Sequence, residues 1–166
     1  MIIFLIGFMG SGKTTIGKKL AKKLKFEFID LDSLIEQHEQ STVAEIFENK
    51  GEAYFRETEH KTLIELCSKR RTVISCGGGT PCYFNAINLM NEAGITVYLK
   101  LSTEAIYSRL HIAKSKRPLL KNMHGDDLKN FINLKLEERE PYYAKAKIIC
   151  NALSFKMSDI ESELAP

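Results

Sequence analysis

The chain has 166 residues, 44% hydrophobic and 27% charged, with a formal net charge of +3. This length and balance describe one ordinary globular domain spanning residues 1–166. The charge is too small to argue for a nucleic-acid or anionic-membrane partner. The apolar N-terminal run is too short for a bilayer span and lacks the basic flank of a signal peptide, so a cytoplasmic protein is expected. Cys67, Cys76, Cys82 and Cys150 form no C-x-x-C pair, and His38, His60, His111 and His124 show no ligand spacing, so neither zinc nor a disulfide framework is suggested.

In chain order, the first strand is Ile2–Ile6, a continuous apolar, β-branched run. It leads straight into Gly7-Phe8-Met9-Gly10-Ser11-Gly12-Lys13-Thr14, which fits the phosphate-binding pattern G-x-x-x-x-G-K-[ST]. A helix over Lys13–Leu24 follows, with Ile16, Leu20 and Leu24 on one face. Strand, glycine loop and helix stand in the order the motif demands. Amides from Gly10 through Thr14 and the positive helix end suit phosphate oxygens. Lys13 is expected to reach the β- and γ-phosphates, and the Thr14 hydroxyl to ligate Mg²⁺.

A second strand, Glu27–Ile29, ends in Asp30-Leu31-Asp32. If the extended conformation persists, alternation puts both carboxylates on one side. One of the two can then face the Mg²⁺ site through water, and the other can orient or deprotonate an acceptor hydroxyl. The competing reading of Asp32 is an N-cap for the helix beginning at Ser33.

Helical patterns continue over Ser33–Glu39, Thr42–Asn49 and Gly51–Ser68, the last carrying Arg56 among Phe47, Tyr54 and Phe55. A third strand, Thr72–Ser75, opens into Gly77-Gly78-Gly79, and three successive glycines mark a place where a ligand or another chain segment comes close. Helix Phe84–Glu92, strand Thr96–Leu99 and helix Thr103–Leu110 come next. Residues 111–125 hold Lys114, Lys116, Arg117 and Lys121, with Pro118 breaking any helix. A cationic insertion of this kind reads as a closing lid or as a solvated basic loop. Helix Asp126–Glu140 brings in Arg139, and strand Ile148–Cys150 closes the series. Arg56 and Arg139 together suit a carboxylate, whose geometry matches a guanidinium bidentately.

Short apolar strands alternating with helices imply an α/β fold: a central parallel five-stranded sheet between two helical layers, with ligands beyond the carboxyl ends of the strands. With these pieces in hand, the chain resembles the shikimate kinases, a branch of the P-loop kinases related in fold to the nucleoside monophosphate kinases. The resemblance is carried by Gly7–Thr15, Phe28-Ile29-Asp30-Leu31-Asp32, Phe55-Arg56-Glu57-Thr58-Glu59, Gly77-Gly78-Gly79-Thr80, Arg117-Pro118-Leu119-Leu120 and Glu138-Arg139. It implies a three-layer P-loop kinase with a mobile lid that phosphorylates the 3-hydroxyl of shikimate with ATP and Mg²⁺. ATP would be held by Gly10, Ser11, Gly12, Lys13, Thr14 and Thr15, with Arg109 against adenine and Arg117 arriving on the lid. Lys13, Asp32 and Arg117 would carry the chemistry. Shikimate would lie among Asp32, Arg56, Gly77, Gly78, Gly79 and Arg139, and Thr14 with Asp30 would serve the metal. A monomer is expected. After Arg139, Pro141-Tyr142-Tyr143 offers two tyrosines for the family's one.

Two other functions compete. One is a kinase of the same fold with a different acceptor, gluconate or a nucleoside monophosphate. The other is a nucleotide-dependent switch. Against the switch, Asn49-Lys50-Gly51-Glu52 lacks the aspartate of a guanine motif, and no D-x-x-G occurs.

Overall fold

A computed structural model describes residues 1–112, 123 and 125–160. Five strands, β1 (Ile2–Ile6), β2 (Glu27–Asp30), β3 (Thr72–Ser75), β4 (Ile95–Lys100) and β5 (Ile148–Asn151), form one sheet in the order β2-β3-β1-β4-β5. Every pairing is parallel. β1 is central and buried along its whole length, which is why its sequence is apolar at every position. Its side chains still divide by the period of two. Ile3 and Leu5 enter one core with α1 (Lys13–Leu24), α5 (Thr103–Ile112) and α6 (Gly125–Tyr143). Ile2, Phe4 and Ile6 enter the other with α2 (Leu31–Glu39), α3 (Val43–Leu66) and α4 (Ala86–Ala93). Two helical layers therefore cover one sheet.

The topology places the site. From β1 the chain moves outward to β2, returns to β3 between them, and crosses to β4 on the far side of β1. The loops after β1 and β3 diverge at that reversal and leave a crevice at the carboxyl ends. The register lines up Leu5 with Ser75 and Ser75 with Asp30, so the glycine loop, the triple glycine and the acidic pair all leave the sheet at one level.

Helix boundaries agree with or depart from the sequence reading for local reasons. The helices expected over Thr42–Asn49 and Gly51–Ser68 fall on α3, and the expected division between them falls at its kink, Gly51, with φ 84° and ψ 168°. Its start is a capping box: the Thr42 side chain accepts from the Glu45 N–H, and the Glu45 carboxylate accepts from the Thr42 N–H. α4 begins at Ala86 rather than Phe84 because Phe84 and Asn85 have φ of 49° and 58°. α6 runs past Glu140 to Tyr143 with Pro141 inside it.

Candidate active site

On the donor side, the loop Gly7–Thr14 turns from β1 into α1, with Gly12 at the N-cap in a left-handed conformation, φ 96°, that glycine tolerates without strain. The first helical bond runs from the Ile16 N–H to the Gly12 carbonyl at 2.9 Å, so the N–H groups that precede it at the helix start have no acceptor further back in the helix. Ser11 is an exception within the expected cradle: it is buried, and its N–H donates to the Phe8 carbonyl at 3.1 Å, inside the loop. The Lys13 ammonium bridges the loop by donating to the carbonyls of Gly7 at 2.8 Å and Phe8 at 3.0 Å. Arg109 of α5 donates to the Gly10 carbonyl at 2.9 Å and so stands directly over the loop.

The Thr14 hydroxyl donates to the Asp30 carboxylate at 2.9 Å and lies 3.5 Å from the Ser75 hydroxyl. These are hard oxygen donors, the kind Mg²⁺ takes. Among the described residues no cluster of three or more His, Cys, Asp or Glu side chains could hold a metal. The Thr14 and Asp30 oxygens fit a Mg²⁺ that arrives with a nucleotide and keeps most of its waters.

The acidic pair is arranged differently from the sequence expectation. Extended backbone ends at Asp30, whose side chain accepts from the Ser33 N–H at 3.3 Å, so capping of α2 falls to Asp30 and not to Asp32. Asp32 sits in the first turn of α2. Its carboxyl is pushed up to about 6, first by burial, then by the negative charges of Glu59 and Asp30, with Lys13 opposing. One cleft of about 290 Å³ joins Lys13, Thr14, Asp30, Asp32 and Gly77.

On the acceptor side the three glycines let charged side chains approach the backbone closely. A Cβ on Gly77 would stand 2.9 Å from both Asp32 Oδ1 and Glu59 Oε1; on Gly78, 3.1 Å from Arg139 Nη1; on Gly79, 2.6 Å from Arg56 Nη2. The run thus brings Asp32 and Glu59, Arg139 and Arg56 against three successive residues of one loop. Arg56 is nearly buried, with Nη1 donating to Glu59 at 2.8 Å and Nε to Glu52 at 3.3 Å. Its guanidinium lies over the rings of Tyr83, Phe55 and Phe47 at 4.4, 5.2 and 5.8 Å. Burial works against the Arg56 charge, yet Glu59 beside it raises its pKa overall. Arg139 rests over the Phe8 ring at 5.5 Å.

Two contributors escaped the sequence reading, and a third was left open between two residues. Glu59, almost fully buried, pairs with Arg56 and accepts the Thr80 hydroxyl at 2.5 Å. Its position three residues beyond Arg56 on one helix is the signal that could have found it. Tyr83 covers Arg56 while its hydroxyl donates to Glu52 at 3.1 Å, a contact across 31 residues that no local pattern announces. Of the two candidate tyrosines, Tyr143 is fully buried and reaches the site, whereas Tyr142 is exposed. Arg117 and most of the expected lid at 111–125 lie outside the described residues.

The family profile for shikimate kinase matches residues 9–163. A shikimate kinase of Bacteroides thetaiotaomicron is 47% identical over 150 residues, 90% of this chain and 86% of its own. A crystal structure of shikimate kinase from that organism superposes with a TM-score of 0.90 at 44% identity, covering 99% of this chain and 94% of the other. The shikimate kinase of Acinetobacter baumannii, solved in complex with shikimate, superposes with a TM-score of 0.82 at 32% identity, covering 98% and 88%.

Proposed function

The chain belongs to the shikimate kinase family and is a phosphotransferase that phosphorylates shikimate on the route to aromatic amino acids; we propose that it transfers the γ-phosphoryl group of ATP to the 3-hydroxyl through the residues that follow. The observation that carries this assignment is the triple glycine, which sets Asp32, Arg139 and Arg56 against Gly77, Gly78 and Gly79 in turn. A small acid with a ring of hydroxyls matches that sequence of groups, its carboxylate between two guanidiniums and a hydroxyl towards Asp32.

On this reading Lys13 leaves the Gly7 and Phe8 carbonyls and follows the β- and γ-phosphates as charge moves between them. Backbone amides of the loop and the first turn of α1, between Gly10 and Thr15, hold the phosphate oxygens, and Arg109 packs against adenine. Asp32 accepts the hydrogen bond of the acceptor hydroxyl, aims its oxygen along the line of attack and takes its proton. Thr14 and, through water, Asp30 would hold Mg²⁺, which would neutralise charge on the phosphates. Arg117 acts from the lid, as its match to the family motif implies. No helix among the described residues is long and apolar enough to cross a membrane, and we read the protein as a single-domain cytoplasmic monomer.

Arg139→Ala tests the clamp. It should raise KM for shikimate at least about tenfold, the loss of one charge-assisted pair, while KM for ATP stays within about twofold. Arg56→Ala should do the same and in addition lower stability by about 3 kcal/mol, because it strips buried Glu59 of its cation. Steady-state kinetics at saturating ATP decide the matter. Unchanged KM for shikimate in both variants removes the carboxylate from this corner of the cleft.

A further inference from the structure

A run of three glycines has no side chains to hold it and more backbone freedom than any other tripeptide, so its shape must be fixed from outside. Two of its carbonyls are fixed locally. The Gly77 carbonyl accepts the Thr80 N–H at 3.2 Å, and the Gly79 carbonyl accepts the Cys82 N–H at 2.9 Å. The middle carbonyl is held from 65 residues away, by the Tyr143 hydroxyl, which donates to Gly78 at 2.5 Å.

Tyr143 stands one helical turn beyond Arg139 on the same face of α6. Arg139 lies against the Cα of that same Gly78, since an added Cβ would stand 3.1 Å from its guanidinium. Burial raises the Tyr143 pKa, with the positive charge of Arg139 opposing, so the phenol stays a donor throughout the working range. Its ring is fixed in turn by Tyr98 at 4.9 Å, and the Tyr98 hydroxyl donates to Glu140 at 2.6 Å. Glu140 also accepts from Lys100 at 2.5 Å, which ties α6 to the end of β4. Because a peptide unit is planar, holding the Gly78 carbonyl also sets the direction of the Gly79 N–H.

We infer that Tyr143 is a positioning residue of the acceptor site: its hydroxyl orients the Gly78–Gly79 peptide and keeps that peptide in register with Arg139. The residue does not touch the reacting atoms. It acts on the binding of the acid, and the kinetic part of the inference rests on the carboxylate reading above. Loss of the hydroxyl leaves the Gly78 carbonyl without its buried donor and frees the glycine run to sample other conformations.

Tyr143→Phe removes only that hydroxyl, and Tyr98→Phe serves as its comparison, since it breaks the Glu140 contact but keeps both rings. Tyr143→Phe should raise KM for shikimate about tenfold, as one hydrogen bond to an ordered site is worth, with KM for ATP within about twofold. In the ligand-free, ¹⁵N-labelled enzyme the Gly79 amide resonance should move in Tyr143→Phe and stay in place in Tyr98→Phe. A Gly79 resonance that does not move, or equal changes in both KM values, overturns the inference. If the parent enzyme fails to turn over shikimate, the carboxylate reading is what fails, and the Gly79 resonance alone decides the positioning role. Should Tyr143→Phe not fold, the parent protein decides: a slowly exchanging Tyr143 hydroxyl proton with a cross-peak to the Gly79 N–H sustains the inference, and its absence refutes it.

Discussion

Lys13→Met is expected to lower kcat about a thousandfold, the typical cost of removing one preorganised donor from developing charge, while the melting temperature stays within a few degrees of the parent. The asymmetry follows from where the ammonium rests. Without nucleotide it spans the Gly7 and Phe8 carbonyls at 2.8 and 3.0 Å, so removing it costs the fold about two loop hydrogen bonds of roughly 1 kcal/mol each. Methionine keeps the unbranched stem and its packing. In the transferring complex the same group neutralises charge shared between leaving and transferred phosphates, inside a cleft walled by the loop and α1. Single-turnover rates set beside thermal melts separate the two effects. A variant that loses stability and activity in proportion would make Lys13 a structural residue.

Asp32→Asn should act in opposite directions on activity and stability. Its carboxyl is raised from 3.8 to about 6 by burial and by the like charges of Glu59 and Asp30, so the folded chain favours the protonated form. The stability this contributes is fully present below about pH 4 and is lost as pH rises through about 6. At neutral pH the ionised carboxylate therefore costs up to about 3 kcal/mol relative to its protonated form. Asparagine removes that charge, and its melting temperature should exceed the parent's by several degrees above pH 6, with the gap closing towards pH 4. Turnover should nevertheless fall by a factor of about 10²–10⁴, since the amide cannot take the acceptor proton. In the parent enzyme kcat/KM should fall as pH drops through about 6, where Asp32 becomes protonated. An Asp32→Asn protein with lower thermal stability at neutral pH, or with parental turnover, contradicts this assignment.

How far the residues alone led can be judged at particular positions. β1 was legible because a fully buried central strand has no polar face to blur its limits, and the loop after it because phosphate recognition constrains Gly7 and the run Gly12-Lys13-Thr14 at fixed spacing. Asp30 and Asp32 were legible as a functional pair but not in geometry. Alternation assumed that the strand continued, whereas Asp30 caps α2 and turns the chain helical at Leu31. The division between the helical patterns ending at Asn49 and beginning at Gly51 was legible because glycine weakens a helix there, and its φ of 84° makes the kink within α3. The glycine triplet announced a close approach without saying of what. Its partners come from α2, α3 and α6, and such contacts are fixed by packing rather than by spacing along the chain. The same holds for Tyr143. Pro141-Tyr142-Tyr143 presents two equal side chains in sequence, and only docking of α6 against β4 buries one and exposes the other.

ADP formation by the purified protein with MgATP, measured with shikimate, with gluconate, with AMP and with no acceptor, is the direct test. Shikimate alone should raise the rate well above the acceptor-free background, and Arg139→Ala should suppress this stimulation at low shikimate. Equal rates with and without shikimate, or stimulation by gluconate or AMP instead, would contradict the assignment.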